Sequence, residues 1–154
     1  MKDKNRTIIT EPFVQKSIIK YLASLHWQRS LIKAELNQSG VDIKIRNNQY
    51  GRDWLIEVKG DPSERVKSPS GSRSSSFNSA LGQIITRMHT NRKRAYKYGN
   101  KYGIGLPVSF KKMVLKKLPY DTCDKLNLYV FFVNHRGDVE EFDHKKLKIL
   151  QNQQ

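Results

Sequence analysis

The chain has 154 residues, enough for one compact domain (1–154) with its own hydrophobic core. Lys and Arg number 29 against 14 Asp and Glu, a formal net charge of +15 that favours polyanionic partners, nucleic acid first among them. No apolar run reaches the roughly 18 residues a membrane span needs, no signal-peptide core follows the charged N-terminus, and the single Cys123 excludes an internal disulfide or a thiolate metal cluster, so a cytoplasmic protein with no membrane association is expected.

Residues 11 to about 26 predict a helix, with Phe13, Val14, Ile18, Ile19, Leu22 and Leu25 recurring near a period of 3.6 and Pro12 suited to the first turn. Residues 26–33 lead into a first strand. Two β-prone runs follow at 41–46 and 54–59, joined by a polar segment containing Gly51, the pattern of a hairpin. Residues 61–76 read as a long polar loop, rich in serine and without periodicity. Ser76 or Asn78 then caps a helix whose buried stripe is Leu81, Ile84, Ile85 and Met88, and which continues through the basic segment 91–98 to Gly99. Residues 102–107 predict a short strand stopped by Pro107, 110–118 a helix with a basic outer face, 126–133 a buried strand, and 139–142 a strand pairing back on it. The stretch 145–148 is a basic tail. Gly99, Gly103 and Gly105 lack the Gly-Lys-Ser/Thr ending of a phosphate loop, and the four histidines lack zinc-site spacing.

The hairpin carries the chemistry. Side chains alternate along a strand, so Trp54, Ile56 and Val58 share one face of the second run and Leu55, Glu57 and Lys59 the other. In the first run Val41, Ile43 and Ile45 oppose Asp42, Lys44 and Arg46. Pairing Ile43 with Ile56 and Ile45 with Trp54 matches every apolar residue to an apolar partner and sets Asp42 opposite Glu57; a slip by one residue would ruin both faces, whereas a slip by two would keep them. Directly opposed carboxylates have Cβ atoms roughly 4.5–5.5 Å apart and repel. A hard divalent cation removes that conflict, and Mg²⁺ is commonly held by one or two carboxylates with water and phosphate completing its shell. Lys59, two residues beyond Glu57 on the same face, is placed to touch an attacking water or a phosphate oxygen. A Glu-x-Lys pair alone is usually a solvated strand face with a weak ion pair; the facing Asp42, the apolar backing and the net charge weigh against that here.

The order Asp42, then Glu57-Val58-Lys59, then a helix bearing Gln83 resembles the PD-(D/E)xK nuclease superfamily, which includes restriction enzymes, archaeal-type Holliday junction resolvases and some homing endonucleases. The resemblance runs from Glu11 to about Leu106. It implies an α/β fold with a mixed central sheet flanked by helices, an αβββαβ restriction-endonuclease-like core, followed here by a C-terminal helix and β-hairpin. It also implies a Mg²⁺-dependent DNA endonuclease in which Mn²⁺ substitutes for Mg²⁺. By that resemblance Asp42, Glu57 and the Val58 carbonyl hold the metal, Lys59 positions or deprotonates the water, and Gln83 supports it. Two departures stand out. Val41 precedes Asp42 where the motif has proline. The acid of the first helix is either Glu11, displaced by a turn, or has become Gln15, whose spacing to Ile18, Leu22 and Trp27 suits the family's phasing; Glu11 also reads simply as an acid favoured by a helix N-terminus.

Lys67 and Arg73 in the serine-rich stretch, Arg87 on the helix flank, and Arg92, Lys93, Arg94 and Lys97 interleaved with Tyr96 and Tyr98 are the candidate contacts to a DNA backbone. Cutting both strands of a duplex, with its two-fold-related scissile bonds, would favour a homodimer or higher homo-oligomer. The rival expectation is a catalytically inactive nucleic-acid-binding module of the same fold.

Overall fold

A mixed five-stranded sheet carries helices on both faces in the computed structural model, which describes residues 7–25, 41–47, 52–90 and 99–153. The elements run α1 (Glu11–Ser24), β1 (Ile43–Asn47), β2 (Arg52–Val58), α2 (Pro69–Thr90), β3 (Lys101–Pro107), a 3-10 turn (Val108–Phe110), α3 (Lys111–Lys117), α4 (Tyr120–Leu126), β4 (Leu128–Val133), β5 (Val139–Phe142) and α5 (His144–Gln151). The strands lie in chain order across the sheet. β1 and β5 are antiparallel edges on a parallel β2–β3–β4 centre. Parallel neighbours need a crossover, which α2 opens between β2 and β3 and which α3 and α4 form between β3 and β4. Among the described residues no helix is long and apolar enough to cross a membrane. The strand expected at 26–33 and the basic segment 91–98 lie outside the described residues.

The register of the hairpin is the expected one: Ile43 faces Ile56 and Ile45 faces Trp54. β2 differs from the half-buried strand that its alternation implied. It lies between β1 and β3 and is buried on both faces from Asp53 to Val58. Trp54, Ile56 and Val58 pack on α1 through Val14, Ile18 and Leu22, while Leu55 joins Phe77, Ala80 and Ile84 of α2 on the opposite face. On the α1 side, Gly105 of β3 leaves room for the helix, since a Cβ there would collide with Ile18 Cδ1, whereas Gly103 leaves room for the Phe131 ring of the neighbouring strand.

Capping sets the helix ends. Thr10 caps α1, its Oγ1 accepting from the Phe13 amide at 3.4 Å, with Pro12 in the first turn. The buried stripe of α1 is Val14, Ser17, Ile18, Ile19 and Leu22, whereas Phe13 and Leu25 are exposed, contrary to expectation. The serine-rich stretch departs most from its reading as a loop. α2 already begins at Pro69, with Ser68 Oγ accepting from the Gly71 amide at 3.3 Å and the Ser68 carbonyl from the Ser72 amide at 3.0 Å. Ser-Pro is a cap followed by proline at the first helical position, and burial of Phe77 and Ala80 outweighs the weak helix propensity of the serines. The stripe is accordingly rotated: Ile84 is buried with Phe77 and Ala80, and Ile85 is 47% exposed.

The helix expected over 110–118 is present as α3, and a further short helix, not expected, follows it. Pro119 follows Leu118, which is extended, and a new helix, α4, starts at Tyr120. The basic tail is helical too: Asp143 Oδ1 caps α5 through the Lys146 amide at 2.8 Å, and Leu147 is buried against α3 and α4. Cys123 lies in the same core, and burial pushes its thiol up to about 12, which fits a small packed residue rather than a reactive one.

Candidate active site

The ladder that pairs Ile43 with Ile56 sets Asp42, the residue before β1, opposite Glu57 when continued by one position. Asp42 is held at both ends. Its Oδ2 accepts the Val58 amide at 2.7 Å, and its carbonyl accepts the Gln15 side-chain amide at 2.7 Å. Glu57 is 3% exposed. Burial, then the neighbouring Asp42 charge and a hydrogen bond between the two carboxyls, push it from 4.5 up to about 7, against the opposing pull of Lys59 and Arg87. Burial and the facing carboxyl thus both favour the protonated form of Glu57. Arg87, two turns beyond Ala80 on α2, brings its Nε to 3.8 Å from Glu57 Oε1. That oxygen is buried and has no hydrogen-bond donor among the described residues.

Lys59 follows directly. Its amide bonds to the Gly105 carbonyl at 2.9 Å, holding it beside the end of β3. Its side chain lines a cleft of about 350 Å³ together with Glu11, Thr10, Asp61 and Ser76. What brings α1 to this spot is a pair of bonds between Ile9 and Asp61, the residue after Gly60. The Ile9 amide donates to Asp61 Oδ2 at 3.0 Å, and the Asp61 amide donates to the Ile9 carbonyl at 2.8 Å. Gly60 lies so close to the helix start that a Cβ there would sit 2.5 Å from the Glu11 nitrogen. Asp61 Oδ1 in turn accepts from Ser109 Oγ at 2.5 Å and lies 3.9 Å from Arg73 Nε.

The residues singled out from the sequence are therefore only partly brought together. Asp42, Glu57 and Val58 meet where the start of β1 faces the end of β2, and Lys59, just beyond β2, lines a cleft with Glu11, with Gln15 one turn behind Glu11 and tied to Asp42. Gln83 is exposed on α2, on the flank it shares with Ser76 and Arg87. Lys67 is exposed, whereas Arg73 is a helical residue with only 14% of its side chain exposed, turned to Asp61 rather than outward from a loop. Arg87 faces Glu57 instead of standing free on a flank. Arg92, Lys93, Arg94 and Lys97 lie outside the described residues.

Sequence reading missed Asp61, Ser76 and Ser109, which carry no local pattern. It also missed the Arg87–Glu57 pair, which was legible in principle. Arg87 falls three residues after Ile84 and seven after Ala80, so a stripe drawn from Phe77 would have turned it to the sheet.

The donor set suits a small divalent cation. Two carboxylates stand at one point, one with an undonated buried oxygen, and such an ion takes its remaining ligands from water and phosphate. Among the described residues no group of three His, Cys, Asp or Glu side chains is gathered that could hold a metal unaided.

No family model matches the sequence, and no curated protein matches it. Among solved structures, the chain is similar to the crystal structure of an XisH family protein from Nostoc punctiforme, with 14% identity and a TM-score of 0.50, over 83% of this chain and 96% of that one. At that identity the likeness is one of fold: a mixed sheet flanked by helices, matched over nearly the whole of the other chain.

Proposed function

We propose that this chain is a divalent-metal-dependent endonuclease that hydrolyses phosphodiester bonds in DNA. The observation that carries the reading is the placement of Asp42 against a 3%-exposed Glu57, two residues before Lys59, which lines a cleft with Glu11. Asp42, Glu57 and the Val58 carbonyl would hold Mg²⁺ or Mn²⁺. When bound, such an ion polarises a phosphoryl oxygen and lowers the pKa of its water. The protein's own part is positional. Asp42 is fixed by Val58 and Gln15, so its carboxylate is presented without further ordering. Lys59 orients the attacking water or neutralises a nonbridging phosphate oxygen. As the water oxygen bonds to phosphorus, the bond to the leaving sugar oxygen breaks, and negative charge grows at sites that the ammonium group faces. Gln83 and Glu11 would support the water or the phosphate. The net charge of +15 supplies the attraction to a polyanion.

A second reading, a catalytically inactive DNA-binding module of the same fold, draws on Arg87. Its guanidinium beside Glu57 supplies a positive charge of the kind a cation would bring. Incubating the protein with supercoiled plasmid and with a four-way junction, in Mg²⁺ or in EDTA, beside Lys59→Ala, separates the two. Metal-dependent cutting that Lys59→Ala loses supports the nuclease and shows which DNA form it prefers. Tight binding of both DNAs without cutting supports the inactive module.

A further inference from the structure

A second concave surface adjoins the first. The early turns of α2 and the outer face of α3 border a cleft of about 550 Å³ whose lining includes Arg73, Ser74, Ser109, Lys112, Lys116 and Lys117, and no carboxylate. The α3 lysines divide by role. Lys111 turns away to Glu140, at 3.2 Å, and to the ring of Phe142. Lys117 bonds Ser74 Oγ across the cleft. Lys112 and Lys116, one helical turn apart, are exposed on its wall. At its back, Arg73 is mostly buried, and its Nε and Nη2 have no hydrogen-bond acceptor among the described residues.

A basic helix face is commonly a solvated face and nothing more. Three features separate this one from that case. It is concave, it offers serine hydroxyls between its cations, and it shares a wall with the Lys59 cleft. That wall is Asp61, which lines the first cleft and meets Arg73 and Ser109 of the second. A chain of phosphates leaving the Lys59 cleft over Asp61 would pass next between Lys112, Lys116 and the hydroxyl of Ser74.

We propose that the α2–α3 cleft binds the DNA sugar-phosphate backbone adjoining the strand segment held at Lys59. The proposal rests on the reading of the protein as one that acts on DNA. Lysines and hydroxyls of this kind contact phosphate without reading sequence, so the surface fixes the path of the strand and not the site of cutting.

The test uses the full chain and a labelled DNA duplex in EDTA, with affinity followed by fluorescence anisotropy over a series of salt concentrations. Lys112→Ala with Lys116→Ala is compared with Lys125→Ala with Lys145→Ala, which removes the same charge from exposed positions on α4 and α5. The plot of log affinity against log salt should lose about 2 from its slope in the first pair, close to one per phosphate contact, and keep its slope in the control pair. An unchanged slope in the first pair, or an equal loss in the control, overturns the proposal. Cleavage by the unaltered protein in Mg²⁺ is scored alongside. Cutting with an unchanged slope removes this surface and leaves the nuclease. A reduced slope without cutting keeps the surface and removes the nuclease. Absence of DNA binding by the unaltered protein removes both.

Discussion

Gln15 holds Asp42 by its main chain: the glutamine amide donates to the aspartate carbonyl at 2.7 Å, from the first half of α1 to the residue just before β1. Of Glu11 and Gln15, the two candidates for the acid position of the nuclease resemblance, Gln15 is thus a donor tied to the main chain of Asp42. Gln15→Ala should cost about 1 kcal/mol and lower the melting temperature by roughly 2–4 °C. Gln15→Glu, which cannot donate at neutral pH and adds charge beside Asp42 and Glu57, should cost more in EDTA and recover part of the loss in Mg²⁺. Melting curves with and without the metal check both. A Gln15→Glu protein as stable as the parent in EDTA would show that the link contributes nothing.

Asp42→Asn and Lys59→Ala should each reduce DNA cleavage by about 10²-fold or more while DNA affinity changes little. The asparagine keeps an oxygen for the Val58 amide, so the fold is spared while the charge is removed. Plasmid nicking and anisotropy on the same preparations provide the comparison. Persistent cleavage in both variants would remove the assignment of this site.

Glu57 should make the metal-free protein less stable as the pH rises. Its carboxyl is pushed from 4.5 up to about 7 in the folded chain, by burial first and by Asp42 second. Between those values the folded state keeps a proton that the unfolded chain has released. The contribution is therefore complete below the unfolded value and is lost as pH climbs through the folded one, an effect on the order of 3 kcal/mol at most. Thermal melts in EDTA from about pH 5 to about pH 8 should show the decline, and Glu57→Gln should flatten it. A parent profile as flat as that of the variant would mean that the Glu57 carboxyl is not raised in the folded chain.

Gly60→Ala should destabilise the protein by about 1–3 kcal/mol, because the new methyl would meet the main chain at the start of α1 and main chain yields poorly. The added Cβ would lie 2.5 Å from the Glu11 nitrogen and 3.0 Å from the Thr10 carbonyl carbon. Gly82→Ala is the matching control: nothing lies within 4 Å of a Cβ there, on an exposed turn of α2, so it should stabilise by about 0.5–1 kcal/mol. Urea unfolding of the two variants reads the opposite signs directly. Cleavage should fall only in Gly60→Ala, since the same contact sets Glu11 beside Lys59.

The β1–β2 hairpin was legible because its side chains alternate strictly. Ile43, Ile45, Trp54 and Ile56 must all face the same core, and the register that satisfies them also aligns Asp42 with Glu57. α1 was legible for a similar reason, since Val14, Ile18 and Leu22 fall on one helical face. The serine-rich start of α2 was not. Serine is a poor witness to helix in isolation, and what holds those turns is long-range burial of Phe77 and Ala80 against the sheet.

By itself, then, the sequence determined the charge, the alternation of the hairpin and the facing carboxylates, because each depends on residue identity at short spacing. Tertiary structure decided the rest. The rotation of α2 about its axis directs Arg87 to Glu57 and Arg73 to Asp61. The Asp61–Ile9 pairing draws the start of α1 to the end of β2, and α3 lies beside α2 to form the basic cleft. These contacts join residues dozens of positions apart, and their partners are selected by how whole helices pack on the sheet, which no local pattern specifies.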